Sequence, residues 1–328
     1  MKHHTAPWWL PGGHIQTIWP ALYAQPLLGL APRFERERWA TPDGDFIDVD
    51  FLVTSAPPHA PTLVLFHGLE GSSASHYAQS FASWADNAQV RFALPHFRGC
   101  SGELNLAPRA YHSGDHQEVD WILKRVKQRQ GPKTPLVAAG VSLGGNALMR
   151  WAGEHGPYAA KTVQAVASIC SPLDLTASGH AIGQGFNRQI YTRMFLRSMK
   201  PKAMAKLKQH PGLFDPQALS AAKDLYTFDN IFTAPLHGFK DTPDYWARAS
   251  AKPLMHQIAV PALALNAQND PFIPVHSLPQ ANDVSRQVEL WQPTHGGHVG
   301  FATGPMPGYL AGMPRAVGGW LLQKVANG

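Results

Sequence analysis

The chain of 328 residues lacks several features, and each absence narrows what the protein can be. It has two cysteines, Cys100 and Cys170, which are too few for a disulfide framework and typical of a reducing compartment. No run of about 18 apolar residues is present to span a bilayer as a helix. The apolar stretch 6–32 is interrupted repeatedly by proline, which argues against a membrane helix or a signal sequence. We therefore predict a soluble, cytoplasmic protein.

Acidic residues are missing from one long segment. Between positions 175 and 214 there is no Asp or Glu but there are seven Lys and Arg residues, whereas the whole chain carries a net charge of +6. The basic character therefore belongs to this segment. Because no nucleic-acid-binding fold is recognisable, we predict no nucleic-acid partner.

Within this basic segment, three cations recur at helical spacing on one face, and apolar residues occupy much of the other. The cations are Arg193, Arg197 and Lys200, and the apolar residues are Ile190, Tyr191 and Met194. Two interpretations remain open. The helix is either a solvated surface helix or the site of peripheral contact with an anionic membrane, at the inner membrane face.

Apolar runs that alternate with helix-like stretches predict a mostly parallel sheet with helices on both faces. A hairpin is predicted first, at 36–40 and 46–52, around the turn sequence Thr41-Pro42-Asp43-Gly44. The further predicted strands are 62–66, 90–94, 136–139, 163–169, 261–265 and 287–291.

The strands are interrupted between positions 171 and 252, which is far longer than an ordinary connection and predicts an inserted helical lid. Helix-like pieces lie near 187–199, 201–209 and 216–225. The sequence of residues 1–35 predicts an extended arm that packs its tryptophans on the core. The alternative is that these tryptophans anchor the arm at a lipid interface. The predicted division is an arm (1–35), a core (36–170 and 253–328) and a lid (171–252).

The segment Gly140-Val141-Ser142-Leu143-Gly144-Gly145 lies between an apolar strand-like run and a helix-like run. A serine on such a sharp turn is a nucleophile elbow. Side chains two positions before and after the serine would meet neighbouring backbone, so glycine suits both places. The helix N-terminus that follows favours negative charge. We predict Ser142 as a nucleophile; the alternative is an ordinary serine in a turn of small residues.

A nucleophilic serine needs a base within hydrogen-bond reach and a carboxylate that orients the base. In sheets of this kind the acid follows the serine and the base follows the acid, each after a later strand. Asp270 follows the strand predicted at 261–265 and is the predicted acid. Asp174, which follows the strand predicted at 163–169, is its alternative.

Two histidines compete for the role of base, since both follow the last predicted strand. The glycines before His298 let its backbone approach the serine closely, so His298 is the predicted base. His295 is then a loop residue or supports the base. The tetrahedral intermediate also needs donors for its oxyanion, which we predict to be the backbone N–H groups of Leu143 and Leu69.

Four residues that could ligate a metal lie close together: His112, Asp115, His116 and Glu118. They match neither the spacing of a zinc hydrolase nor that of a cysteine-containing site. We therefore predict no metal at this cluster.

Several long motifs resemble those of one known family, the YheT-like branch of the α/β-hydrolases. They cover residues 7–17, 67–71, 96–102, 111–115, the elbow, 235–239 and 296–301. The resemblance implies an α/β-hydrolase fold with a helical lid and a serine ester hydrolase without a cofactor. It implies the triad roles for Ser142, Asp270 and His298. Bacterial members are generally classed as esterases, and eukaryotic relatives include lipid hydrolases and enzymes that make or cleave medium-chain acyl esters.

We therefore expect a serine hydrolase that cleaves carboxylic esters, with short- to medium-chain acyl or lipid-like groups, through an acyl-enzyme. Its partner would be a small-molecule or lipid ester substrate. Two alternatives remain: acyl transfer to an alcohol on the same triad, and a ligand-binding relative that has lost catalysis. The sequence does not specify the acyl length or the oligomeric state.

Overall fold

A computed structural model describes residues 1–27 and 29–326, and its strands form one eight-stranded sheet. The strands are β1 (Phe34–Ala40), β2 (Phe46–Leu52), β3 (Thr62–Phe66), β4 (Arg91–Pro95), β5 (Leu136–Val141), β6 (Ala165–Ile169), β7 (Ala262–Leu265) and β8 (Val288–Trp291). Each lies within two residues of its predicted bounds. The order across the sheet is β1-β2-β4-β3-β5-β6-β7-β8.

The strand directions follow from the connections. The hairpin strand β2 is antiparallel to β1 and to β4, whereas β3 to β8 are parallel to one another. Parallel strands require crossover connections, which the intervening helices provide. The predicted mostly parallel sheet is therefore confirmed.

The helices lie between and after these strands. They are α1 (Gly12–Leu22), α2 (His76–Asn87), α3 (His116–Gln130), α4 (Leu143–His155), α5 (Leu175–Ile182), α6 (Gly185–Asn187), α7 (Arg193–Gln209), α8 (Pro216–Ala221), α9 (Leu225–Phe228), α10 (Ala234–Leu236), α11 (Thr242–Ala249) and α12 (Gly312–Ala326). Shorter 3-10 turns cover Gly156–Lys161, Lys252–Gln257, Val275–Ser277 and Ala281–Asp283, and π-helical turns cover Arg188–Thr192 and Asp229–Thr233.

The sheet has a hydrophobic core on each face. In β3, Val64 and Phe66 pack toward α3 and α4, whereas Leu63 and Leu65 pack toward α2 and α12. Successive side chains of a strand point to opposite faces, so a strand covered on both sides reads as a continuous apolar run. This is why the central strands could be recognised from sequence.

The segment predicted as a lid holds α5 to α11, and it differs from the prediction at two points. The helix predicted near 216–225 is broken at 222–224, so that α8 ends at Ala221 and α9 begins at Leu225. Residues 185–209 are helical without a break, so the helices predicted at 187–199 and 201–209 are one. Proline inside a helix removes one backbone hydrogen bond. The helix continues through Pro201 because Leu196 and Ala203, on either side of it, are both buried in one apolar cluster.

The N-terminal arm is not extended as predicted, because residues 12–22 form α1. Trp9 and Trp19 pack edge to face, and the Trp19 indole N–H donates to the Pro307 carbonyl at 2.8 Å. Trp8 is instead 93% exposed. The arm therefore docks on the core through two of its tryptophans and through contacts of α1. Across residues 1–27 and 29–326, no helix is both long enough and apolar enough to cross a membrane.

Adjacent glycines in α12 should respond in opposite ways to an added methyl group. A Cβ on Gly318 would collide with the Trp84 ring, whereas a Cβ on Gly319 would have no atom within 4 Å. Gly318→Ala should destabilise the fold by about 1–3 kcal/mol through overpacking. Gly319→Ala should stabilise it by about 0.5–1 kcal/mol through helix propensity. Urea unfolding of both variants tests this, and equal shifts would contradict the packing of α12 on α2.

Candidate active site

Ser142 stands at the turn between β5 and α4. Its backbone has φ 53° and ψ −120°, a conformation that a residue other than glycine adopts only when the surrounding structure enforces it. A Cβ on Gly140 would lie 2.5 Å from the Gly144 carbonyl oxygen, and one on Gly144 would lie 2.6 Å from the Phe66 carbonyl oxygen. The turn therefore closes only with glycine at these two positions, as predicted.

The three residues predicted as a triad meet above the sheet. His298 Nε2 lies 3.0 Å from Ser142 Oγ, and His298 Nδ1 lies 2.8 Å from Asp270 Oδ2. Asp270 is buried, and its other oxygen accepts the Phe272 backbone N–H at 2.8 Å. The Phe272 ring packs on the His298 imidazole with centroids 4.1 Å apart. These contacts fix the direction of the imidazole and leave one ring nitrogen facing the serine hydroxyl.

The alternatives to Asp270 and His298 lie in other surroundings. The Asp174 carboxylate accepts the Ala177 backbone N–H and so caps the N-terminus of α5. His295 lies 3.2 Å from its neighbour Thr294, measured from Nδ1 to the hydroxyl oxygen. The structure thus brings together the first choice for each role and leaves the second choice elsewhere.

Two residues of α1, Gln16 and Thr17, hold the loops that carry the acid and the base, and the sequence analysis missed this role. Gln16 Oε1 accepts the Asn269 side-chain amide and the Gly296 backbone N–H, each at 2.9 Å. The Thr17 hydroxyl accepts the His298 backbone N–H at 2.8 Å. A signal did exist, because both are polar residues within an apolar arm.

The loop after β3 brings Leu69 to the serine. The neighbouring backbone N–H groups are already bonded: Gly68 N–H donates to the Tyr77 hydroxyl and Glu70 N–H to the Tyr111 hydroxyl, each at 2.9 Å. Leu69 lies between them and lines the same cavity as Ser142 and Leu143. Leu143 is the first residue of α4, where a backbone N–H has no acceptor within the helix.

Ser142 and His298 open into a cavity of about 120 Å³. Its wall is mostly apolar, and most of the wall comes from the 171–252 segment. The apolar residues include Leu175, Ile182, Phe195, Met199, Leu225 and Phe272. A second cavity of about 70 Å³ adjoins the first at Leu69 and Leu143, and its wall contains more charged side chains, among them Glu70 and Lys202. Lys202 Nζ lies 2.9 Å from the Glu70 carboxylate.

Other ionisable groups near the site have structural partners. Burial lowers the pKa of His67 to about 3, and its Nε2 accepts the Phe97 backbone N–H at 3.0 Å, so this neutral imidazole supports the loop after β3. Burial and the nearby Asp270 carboxylate raise the pKa of Cys170 well above its ordinary value, so this residue remains a thiol. Its Sγ accepts the Val299 backbone N–H at 3.3 Å, beside the candidate base.

Three of the four residues considered for a metal have partners outside this group. Asp115 pairs with Arg109, Glu118 pairs with Arg98 at 2.5 Å, and the His112 ring packs on His237 with centroids 4.6 Å apart. Within residues 1–27 and 29–326, no three His, Cys, Asp or Glu side chains are grouped so that they could hold a metal ion.

Comparison with known proteins agrees with the fold and with the resemblance noted in the sequence. Residues 61–305 match a protein family that is described as "alpha/beta hydrolase fold". This chain belongs to the α/β-hydrolase family, in its YheT-like branch.

The relatives show which activities occur in this family. The chain is 36% identical to "Putative esterase YheT" of Escherichia coli (strain K12) over 296 residues, which covers 89% of this chain and 85% of that protein. It is 26% identical to Phospholipase ABHD3 of Bos taurus, covering 94% and 75% of the two chains. The solved Pyrococcus furiosus esterase Pf2001 has a TM-score of 0.55 at 12% identity, covering 93% and 98%, and shares the fold. Together, the sequence relatives support hydrolase activity.

Removing the Thr17 hydroxyl should loosen the loop that carries His298. That hydroxyl accepts the His298 N–H, so Thr17→Val leaves this part-buried backbone group without a partner, whereas the Gly13 carbonyl that the hydroxyl also bonds keeps its acceptor role within α1. We expect a loss of about 1–3 kcal/mol in the free energy of unfolding. Thr17→Ser keeps the hydroxyl and is the matched control in urea titrations. If the Val and Ser variants proved equally stable, the hydroxyl would not be what holds the loop.

Proposed function

We propose that the protein is a carboxylic-ester hydrolase that works through an acyl-enzyme. The main support is the hydrogen-bonded chain from Asp270 through His298 to Ser142, which ends at an apolar cavity. A serine hydroxyl is a weak nucleophile at neutral pH, and an oriented imidazole within 3.0 Å is what activates it.

In the first half-reaction, His298 Nε2 takes the Ser142 proton while Oγ attacks the ester carbonyl carbon. Asp270 keeps Nδ1 protonated and stabilises the imidazolium that forms. The tetrahedral intermediate then collapses, and the imidazolium returns its proton to the departing alcohol. Ser142 is left as an acyl ester.

In the second half-reaction, His298 takes a proton from water, and the hydroxide oxygen attacks the acyl carbon. Collapse of the second tetrahedral intermediate breaks the bond to Oγ, releases the acid and returns the proton to Ser142. In both intermediates the negative oxygen would be held by the backbone N–H groups of Leu69 and Leu143. Each such donor typically contributes about 3 kcal/mol of transition-state stabilisation.

The substrate class follows from the cavity wall. Apolar side chains from the 171–252 segment surround the space beside Ser142, so this segment would act as a lid over a short- to medium-chain acyl group. The relative named a phospholipase supports lipid-like esters as part of this substrate range. The reaction as written uses no cofactor.

Turnover of p-nitrophenyl esters, measured over a series of acyl lengths, should require Ser142 and His298 but not His295. Ser142→Ala and His298→Ala should lower kcat by about 10⁴-fold or more, because the nucleophile and its base act as a unit. His295→Ala is the matched control and should keep nearly full activity. Mass spectrometry after treatment with a fluorophosphonate should find the adduct on Ser142.

Other results of this experiment would support a different mechanism or a different function. An adduct on a different serine in active enzyme would overturn the mechanism. Absence of turnover with every ester would favour a ligand-binding protein that has lost catalysis. Formation of a new ester when an alcohol is added would instead indicate acyl transfer.

We also propose that the basic part of the lid contacts an anionic membrane surface from which an ester could be taken. Arg188, Arg193 and Arg197 line one open groove, and among the described residues none of the three is in an ion pair. Ile190 and Met194, which the sequence analysis placed on a separate face, are exposed on the same helical run. Cations beside exposed apolar side chains are typical of helices that lie on a lipid surface.

Reversal of these charges should weaken binding to anionic vesicles. Each Lys or Arg near such a surface contributes about 1 kcal/mol, so the triple variant Arg193→Glu, Arg197→Glu and Lys200→Glu should bind about 100-fold more weakly to vesicles containing phosphatidylglycerol. Wild-type binding should also fall with added salt. The control reverses the exposed residues Lys133, Lys161 and Arg286 instead. Unchanged binding of the first variant in co-sedimentation would contradict the proposal.

A further inference from the structure

The apolar cavity beside Ser142 contains two polar groups that the proposed reaction does not use. Both come from the 171–252 segment: Ser178 in α5, and Asp229 at the start of a π-helical turn. Single π turns within helical segments occur frequently at functional sites. Ser142 and His298 belong to the candidate triad. The Tyr245 hydroxyl accepts the Ser113 backbone N–H, and the Ser113 hydroxyl accepts the Asn146 side-chain amide, each at 3.0 Å.

The hydroxyl of Ser178 is buried without a partner. Its side chain is 5% exposed, and Oγ has no hydrogen-bond partner in the described part of the chain. A buried polar group in that state destabilises the fold, and a native structure retains it where a ligand or water completes it. This hydroxyl borders the substrate cavity, so the partner it lacks can come from a molecule bound there.

Asp229 gives the same cavity a carboxylate with unused acceptor capacity. Its Oδ1 accepts the Thr233 hydroxyl at 2.6 Å, and its Oδ2 accepts the Trp246 indole N–H at 2.9 Å. A carboxylate offers about four acceptor positions, so two remain. Burial raises the pKa of Asp229 to about 6, and the group is therefore largely ionised at pH 8. An alkyl chain pressed against it would remove water without replacing the lost hydrogen bonds.

We infer that Ser178 and Asp229 form a subsite for a hydroxyl group carried by the substrate within the apolar cavity. The inference rests on the proposed ester hydrolysis and names a substrate class for it: hydroxylated acyl esters. A hydroxyl donates to the Asp229 carboxylate and accepts from Ser178 Oγ, which satisfies both groups at once. An ammonium group has no acceptor for the Ser178 proton, and a plain alkyl chain satisfies neither residue.

The cavity also explains why the two groups act on one ligand. Ser178 and Asp229 both line this one cavity of about 120 Å³, so an acyl chain bound beside Ser142 would pass both residues. Trp246 further connects the two elements, because its indole bonds to Asp229 and its ring lies against Gly179, the residue after Ser178. A shift of α5 would therefore be transmitted to Asp229.

The test compares ethyl octanoate with ethyl 3-hydroxyoctanoate and ethyl 8-hydroxyoctanoate, with acid release followed at constant pH 8. The measured quantity is the ratio of kcat/KM for a hydroxylated ester to kcat/KM for the plain ester within one enzyme preparation. Incomplete folding of a variant cancels in this ratio. Wild-type enzyme should prefer at least one hydroxylated ester by about tenfold. Ser178→Ala and Asp229→Asn should each bring the ratio down toward one.

Ser220→Ala is the matched control, since Ser220 is an exposed serine of the same segment whose hydroxyl donates to the Pro216 carbonyl. It should leave the ratio unchanged. A wild-type ratio of one or less for both hydroxylated esters would overturn the subsite while leaving ester hydrolysis intact. A preference that survives in both Ser178→Ala and Asp229→Asn would do the same. If none of the three esters is cleaved, the proposed function itself fails, and the subsite fails with it.

Discussion

The candidate site depends on a close approach of two backbones, that of the loop after β3 and that of the elbow after β5. A side chain at Gly144 would occupy the space of the Phe66 and His67 carbonyl groups, so the approach requires glycine there. The same contact holds Ser142 at a positive φ and brings Leu69 to the cavity that contains its hydroxyl. A looser turn would lower the serine toward the sheet and separate it from Leu69. The strain at Ser142 is therefore part of how the site is built.

The elements predicted well are those whose signal is local. The continuous apolar run of β3 reflects burial on both faces, and the glycines around Ser142 reflect one turn. Asp270 and His298 were predictable because chain order in a parallel sheet places the loops after successive strands at one edge. Each of these residues lies in a short loop directly after a recognisable strand, and the structure places them where the pattern indicated. Their catalytic roles remain a proposal that activity measurements decide.

What the sequence did not reveal depends on partners distant in the chain. Proline usually ends a helix, yet Pro201 does not, because the apolar residues on both sides of it are buried in one cluster. Gln16 stands out locally only as a polar residue in an apolar arm, and this does not show that it supports two loops 253 and 280 residues further along the chain. Ser178 reads as an ordinary helical serine until the cavity beside it is known. In each case tertiary contacts overrode or added to a weak local preference.

The contacts of α1 also have a consequence for the order in which the molecule is made. Gln16 and the Gly296 backbone that it binds are separated by 280 positions. Ribosomes add about 5–20 residues each second, so roughly 15–60 s pass between the synthesis of these two partners. During that interval the elbow and its sheet neighbours can already be in place, whereas the loop of His298 does not yet exist. A growing chain thus carries its serine without the imidazole that lies beside it in the folded structure, until the loop of His298 has been made.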